Sequence, residues 1–173
     1  MRNLIKLTAV LALVAGAMPA LAGGTDAAGG PGAASGAVAG DALAQALQRR
    51  LDFAYGPVWA SADAGRFVDE FMTNDAIMTG ADGPGAARGR EQLVAAVGGL
   101  MKEVPLVKAR AVYTKQLGRD AAFQFVVFEL HAKDAEGKES VSTAKSLYVW
   151  TRTPRGWRVA ADHYSFAGLD LAP

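Results

Sequence analysis

The chain contains no cysteine and only two histidines, and its charges nearly cancel, with 18 Lys and Arg against 17 Asp and Glu. Without thiols there is no disulfide framework, no thiolate metal centre and no cysteine nucleophile. Two histidines are too few for a multi-histidine metal site, so no metal is expected. Arg2 and Lys6 sit at the extreme N-terminus, which leaves residues 23 onward with 16 basic and 17 acidic side chains. That balance gives no electrostatic ground for binding nucleic acid or an anionic membrane. Neither an internal repeat nor a G-x-G-x-x-G phosphate loop is present, and no cofactor is expected.

What the chain does have begins with a tripartite start. Basic Arg2 and Lys6 precede an apolar run from Leu7 to Ala17; Pro19 and the small-x-small triplet Ala20-Leu21-Ala22 follow. The run is 11 residues long, well short of the roughly 20 that a spanning helix needs. Residues 1–22 therefore read as a cleaved signal peptide, and the absence of a cysteine after it excludes a lipoprotein anchor. The mature chain is expected to be periplasmic or secreted, free of the membrane after cleavage. Residues 23–40 hold seven Gly and six Ala in eighteen positions, a composition that buries little and loses much entropy on ordering. They read as a flexible leader. The remaining 41–173 are enough for one domain with a sizeable core.

Within 41–173 the period is first helical and then strand-like. Asp41 suits a helix N-cap ahead of Leu43, Leu47, Leu51, Ala54, Tyr55 and Val58. Gly56-Pro57 should interrupt this helix. A second helix starts near Asp63 with Phe67, Val68, Phe71 and Met72 on one side; Asn74-Asp75 ends it, and Ala76 to Thr79 reads as a short strand. Gly89 to Glu103 is a third helix with Leu93, Val94, Val97, Leu100 and Met101 as its stripe. From Val107 the period becomes two. Four strands follow, broken at Gly118-Arg119-Asp120, at 134–138 and at Pro154-Arg155-Gly156. Helices followed by strands imply an α+β domain with helices on one sheet face. Ala121 to His131 is apolar on both faces, so one apolar set stays uncovered, and a homodimer through that face is expected.

The last hairpin, Leu147-Tyr148-Val149-Trp150-Thr151-Arg152 with Arg155-Gly156-Trp157-Arg158-Val159-Ala160-Ala161-Asp162-His163-Tyr164-Ser165, resembles that of the nuclear transport factor 2-like superfamily. It is most similar to the exported SnoaL-like and ketosteroid-isomerase-like branch. Trp59, Ala62-Asp63, Phe71, Asn74-Asp75-Ala76 and Gly89-Arg90 with Leu93 follow that family's order, so the resemblance spans about residues 43–166. It implies a cone-shaped α+β domain: a curved antiparallel sheet wrapped around three N-terminal helices, enclosing an apolar pocket and often dimeric. In ketosteroid isomerases of this superfamily a catalytic Asp stands on the first strand; the corresponding place here is Gly80, and the resemblance does not carry isomerase activity over.

Strand alternation places Trp157, Val159, Ala161 and His163 on one face and Arg158, Ala160, Asp162 and Tyr164 on the other. The aromatic and apolar row ending in His163 is the better inward face, opposite Tyr55, Trp59, Phe67 and Phe71. These residues form the expected ligand pocket, suited to a small apolar or aromatic molecule. His163 is the candidate to orient a polar group of that ligand or, in an isomerase, dehydratase or cyclase, to act as general base. Glu129 and His131 share a strand face as a second acid/base pair, read as a solvated strand end; Asp75 and Arg90 are expected to pair structurally. A dimeric interaction or assembly module is the third reading. The signal peptide makes a direct prediction: the exported protein has an intact mass lacking residues 1–22, and a secreted product retaining Met1 to Ala22 contradicts it.

Overall fold

The computed structural model describes residues 33–80, 85–133 and 137–166; the expected signal peptide over 1–22 and the 23–32 part of the expected leader lie outside the described residues. Helix α1 (Ala33–Phe53) begins at Ala33 rather than Asp41, so 33–40, read as leader, is helical. Ala33, Ala34, Ala37 and Ala39 favour the helix that Gly36 and Gly40 oppose. Leu43, Leu47 and Leu51 are buried along it. Gly56-Pro57 does not end the helical path. A single π-helical turn, Ala54–Val58, carries the chain through, because the wider turn tolerates a ring that cannot donate and would clash in an α-turn.

Helix α2 (Ala64–Phe71) is capped by Asp63, whose Oδ1 accepts from the Arg66 backbone N–H at 2.8 Å. Strand β1 (Met72–Gly80) follows without a break, so Asn74-Asp75 lies in the strand rather than ending the helix. Then come β2 (Ala86–Arg88), α3 (Gly89–Glu103), β3 (Leu106–Gln116), β4 (Ala121–Lys133), β5 (Glu139–Thr153) and β6 (Gly156–Phe166). The sheet has six strands in the order β2-β1-β6-β5-β4-β3. The last four are antiparallel, as expected, but β1 runs parallel to β6. The sheet is thus mixed rather than antiparallel, since period reports a strand but not its direction.

The helices cover one sheet face, and alternate residues of β4 and β5 bury there: Ala122, Gln124, Val126 and Phe128, then Ala144, Ser146, Tyr148 and Trp150. Phe123, Phe125 and Val127 therefore point outward. The edge strand β3 is held to α1 by Gln48, whose Nε2 donates to the Ala109 carbonyl at 3.1 Å and whose Oε1 accepts from Ala111 N–H at 2.8 Å. A backbone edge satisfied this way offers less to a foreign strand.

Two bulges reset the alternation on which the faces depend. On β6, Val159 pairs with Trp150 but Ala161 pairs with Val149, so Ala160 is an extra residue. Val159, ahead of the extra residue, faces the core; beyond Ala160 the even-numbered side chains do, because one inserted residue reverses parity. Asp162 is buried and His163 exposed. On β3 the register shifts between Ala111 and Tyr113, which turns Tyr113 outward beside Phe125. These faces predict contrasting costs: Trp150→Ala, deep in the core, should lose about 3–5 kcal/mol, while His163→Ala stays within about 1 kcal/mol. Urea unfolding of both variants measures it.

Candidate functional site

A cavity of about 130 Å³ lies between the helices and the inner sheet face. Tyr55 and Trp59, brought inward by the π-helical turn, and Phe67 and Phe71 of α2 line it. Tyr55 meets Phe67, Phe71 and Phe128 edge-on, with ring centroids 5.4, 5.8 and 5.2 Å apart. Trp59 is fixed by its Nε1, which donates to the Val104 carbonyl at 2.8 Å. Met72 and Met78 from β1 and Val97 from α3 complete the apolar wall. Glu103 and Phe166 are its exposed lining, so the mouth lies between the ends of α3 and β6.

Trp157, Val159 and His163 do not line this cavity. Val159 is fully buried against its partner Trp150, and Trp157 is half-buried near the β5–β6 turn. His163 stands on the outer face, where Nδ1 is 2.8 Å from Thr79 Oγ1. The Ala160 bulge is the reason: simple alternation gives the wrong face past residue 159.

In their place three strand residues join Tyr55 of the π-helical turn in a row of four polar groups. Tyr148 and Ser146 are alternate inward residues of β5, and Asp162 is the cross-strand partner of Tyr148. The Tyr55 and Tyr148 hydroxyls are hydrogen-bonded to each other, and Ser146 hydrogen-bonds both Tyr148 and Asp162. Burial pushes the Asp162 carboxyl up to about 7, with the Ser146 hydrogen bond working against it. Burial also raises Tyr55 and Tyr148, helped by the nearby Asp162 charge. Both phenols stay protonated across the physiological range. Asp162 Oδ1 is buried and has no partner among the described residues.

Counting hydrogens shows what this row can do. Three links need three hydrogens, and the hydroxyls of Tyr55, Tyr148 and Ser146 supply them. A protonated Asp162 adds a fourth, free to be given from Oδ1; an ionised Asp162 leaves that oxygen an acceptor only. Asp162 thus lines a largely apolar cavity as a group whose hydrogen-bonding sense changes near neutral pH. Strand alternation alone puts Asp162 on the outward face. The available signal was an acidic residue directly after the apolar run Val159-Ala160-Ala161, next to a strand carrying Ser146 and Tyr148.

The other candidates are elsewhere. Glu129 and His131 do meet, at 2.5 Å, but Lys108 also holds Glu129 at 2.6 Å on the outer face. Arg90 pairs with Asp69, at 2.7 and 2.8 Å, instead of Asp75. Among the described residues no three His, Asp, Glu or Cys side chains gather as a metal site requires.

No family model matches the chain, and no curated protein is similar to it. Solved structures are. A ketosteroid isomerase-like protein from Erwinia carotovora atroseptica superposes with a TM-score of 0.57 at 20% identity, covering 69% of this chain and 92% of that one. An NTF2-like protein with a cystatin-like fold from Novosphingobium aromaticivorans gives 0.58 at 17%, covering 79% and 90%. A nuclear transport factor 2-like superfamily protein from Salmonella enterica serovar Typhimurium gives 0.56 at 18%, covering 79% and 96%. At such identities the likeness is one of architecture: this chain has the nuclear transport factor 2-like, cystatin-like α+β fold.

Proposed function

We propose that the protein is an exported binder of a small, largely apolar molecule of about one ring carrying a single carbonyl or hydroxyl oxygen. The observation that carries this is the buried Asp162 in the lining of a largely apolar cavity, its Oδ1 without a hydrogen-bond partner among the described residues. Size sets the ligand: a cavity of about 150 Å³ suffices for benzene. Chemistry sets its orientation, because an unpaired buried oxygen is costly until a ligand meets it.

The alternative, an isomerase or dehydratase, has lost its expected base, since His163 is on the outer face. Asp162, at about 7, is the remaining candidate for proton transfer. Drawing a proton from beside a carbonyl also requires a donor for the oxygen that becomes negative. The row has one spare hydrogen, and it sits on the same carboxyl that would be the base. Binding accounts for that arrangement without a second group.

The outer sheet face supports a partner of another kind. Tyr113, Phe123 and Phe125 form an aromatic cluster there, with centroids 5.7–6.4 Å apart. Val127, Leu147 and Val149 extend it as half-buried side chains, and the Lys108–Glu129 pair gives its rim both signs. An apolar face with such a rim suits a second copy of itself.

Three outcomes are expected. Asp162 has its proton affinity raised by folding, so between the unfolded value near 4 and the folded value near 7 the native state binds more protons, and stability falls as pH rises. Relative to Asp162→Asn, the wild type should therefore lose about 2–3 kcal/mol between pH 5 and pH 8 in urea unfolding. Cyclohexanone, whose oxygen only accepts, should bind the wild type more weakly at pH 8 than at pH 6, while Asp162→Asn, which keeps a donor, binds it alike at both. A wild type that binds it equally at both values contradicts the role of Asp162. For the outer face, light scattering at micromolar concentration should report a dimer, and Phe125→Lys a monomer.

A further inference from the structure

The inner cavity is not the sole hollow on this side of the sheet. A second one, about 370 Å³, is bounded by Gly80, Ala86, Ala87, Gln92 and Ala96. Its walls are made largely of residues with little or no side chain, which is why space remains between them. The two hollows share Met78 and Tyr164. Tyr164 is paired with Gly80 across β1–β6 and with Ser146 across β5–β6, so the strands fix where its ring stands.

Gly80 explains how that ring fits. A Cβ at position 80 would lie 2.5 Å from Tyr164 Cζ and 2.7 Å from its hydroxyl oxygen. The tip of the ring therefore rests directly on the Gly80 backbone, a close approach that no other residue type allows. Glycine is not required there by a left-handed backbone, since Gly80 is absent from the positive-φ residues. The pair Gly80–Tyr164 is one structural unit: the small residue makes the seat, and the large one fills it. Met78 is unbranched and adaptable, so the rigid part of the wall is the tyrosine.

We infer that Tyr164 is the partition that sets ligand length, separating a one-ring cavity ending at Asp162 from a second chamber that a two-ring molecule would need. This rests on the ligand-binding reading and deepens it: Asp162 orients the oxygen, and Tyr164 measures what lies behind it. The wild type takes a monocyclic ketone, and a shorter residue at 164 joins the hollows and admits a longer one.

The test compares cyclohexanone with 4-phenylcyclohexanone at pH 6, by ligand-observed NMR titration of the wild type, Tyr164→Val and Tyr164→Phe. Valine keeps strand preference while removing the ring, and phenylalanine keeps the ring. The ratio of the two dissociation constants should move by about ten-fold or more toward the two-ring ketone in Tyr164→Val and by less than about two-fold in Tyr164→Phe. Gly80→Ala reads the same wall without removing it. The added methyl displaces the ring, so cyclohexanone binding should weaken in Gly80→Ala alone and stay unchanged when the methyl is added to Tyr164→Val. If cyclohexanone binds the wild type but Tyr164→Val leaves the ratio unmoved, the partition is wrong and the binding reading stands. If neither ketone binds any form, the binding reading fails and takes the partition with it. Should Tyr164→Val not fold, Gly80→Ala decides: undiminished cyclohexanone binding in it overturns the inference.

Discussion

One extra residue, Ala160, governs what this fold presents to its cavity. Strand side chains alternate with a period of two, so a single inserted residue exchanges the faces of everything after it. Before the bulge β6 packs Val159 against Trp150; after it, Asp162 and Tyr164 turn inward and His163 turns out. A carboxyl and a phenol, the two side chains on which the site depends, are inside because of one residue in the ladder.

Burying Asp162 carries a cost that the surrounding groups only partly offset. A carboxylate inside an aromatic wall loses its water, and Ser146 returns one hydrogen bond. The protein meets the remainder by keeping the group near the point where it is neutral, which leaves it free to change state with small changes in pH or ligand. Tyr55 and Tyr148 are held protonated by the same burial, so they act as fixed parts of the frame. The hydroxyl chain thus holds the carboxyl in place while leaving one of its oxygens uncommitted. Preorganisation of this kind favours recognition of one oxygen on an otherwise apolar molecule.

The helices serve the cavity as much as the core. A π-helical turn lets α1 pass Pro57 and keeps Tyr55 and Trp59 within 5.4 Å of each other, both facing the sheet. Trp59 then ties the end of α3 to this turn through Val104. On the far side of the sheet the bulge in β3 swings Tyr113 away from the cavity and into an outer aromatic cluster. The same device, used twice, supplies an inner polar row and an outer apolar face.

Much of the architecture was legible in residue order. The α3 boundaries, the start of α2 near Asp63, the antiparallel run of the last four strands and the aromatic quartet Tyr55, Trp59, Phe67 and Phe71 follow from period and hydrophobic spacing, which are local properties. The resemblance of the final hairpin added the fold. Residue order alone did not reveal strand direction in β1, the helical start at Ala33, or the inward face of β6. Pairing decides these, because a bulge is a mismatch between two strands and has no signature in either one read singly. Asp162 and His163 are neighbours with equal claims by composition. Only the register of β6 against Val149 and Trp150 decides that the carboxyl meets the cavity and the imidazole meets water.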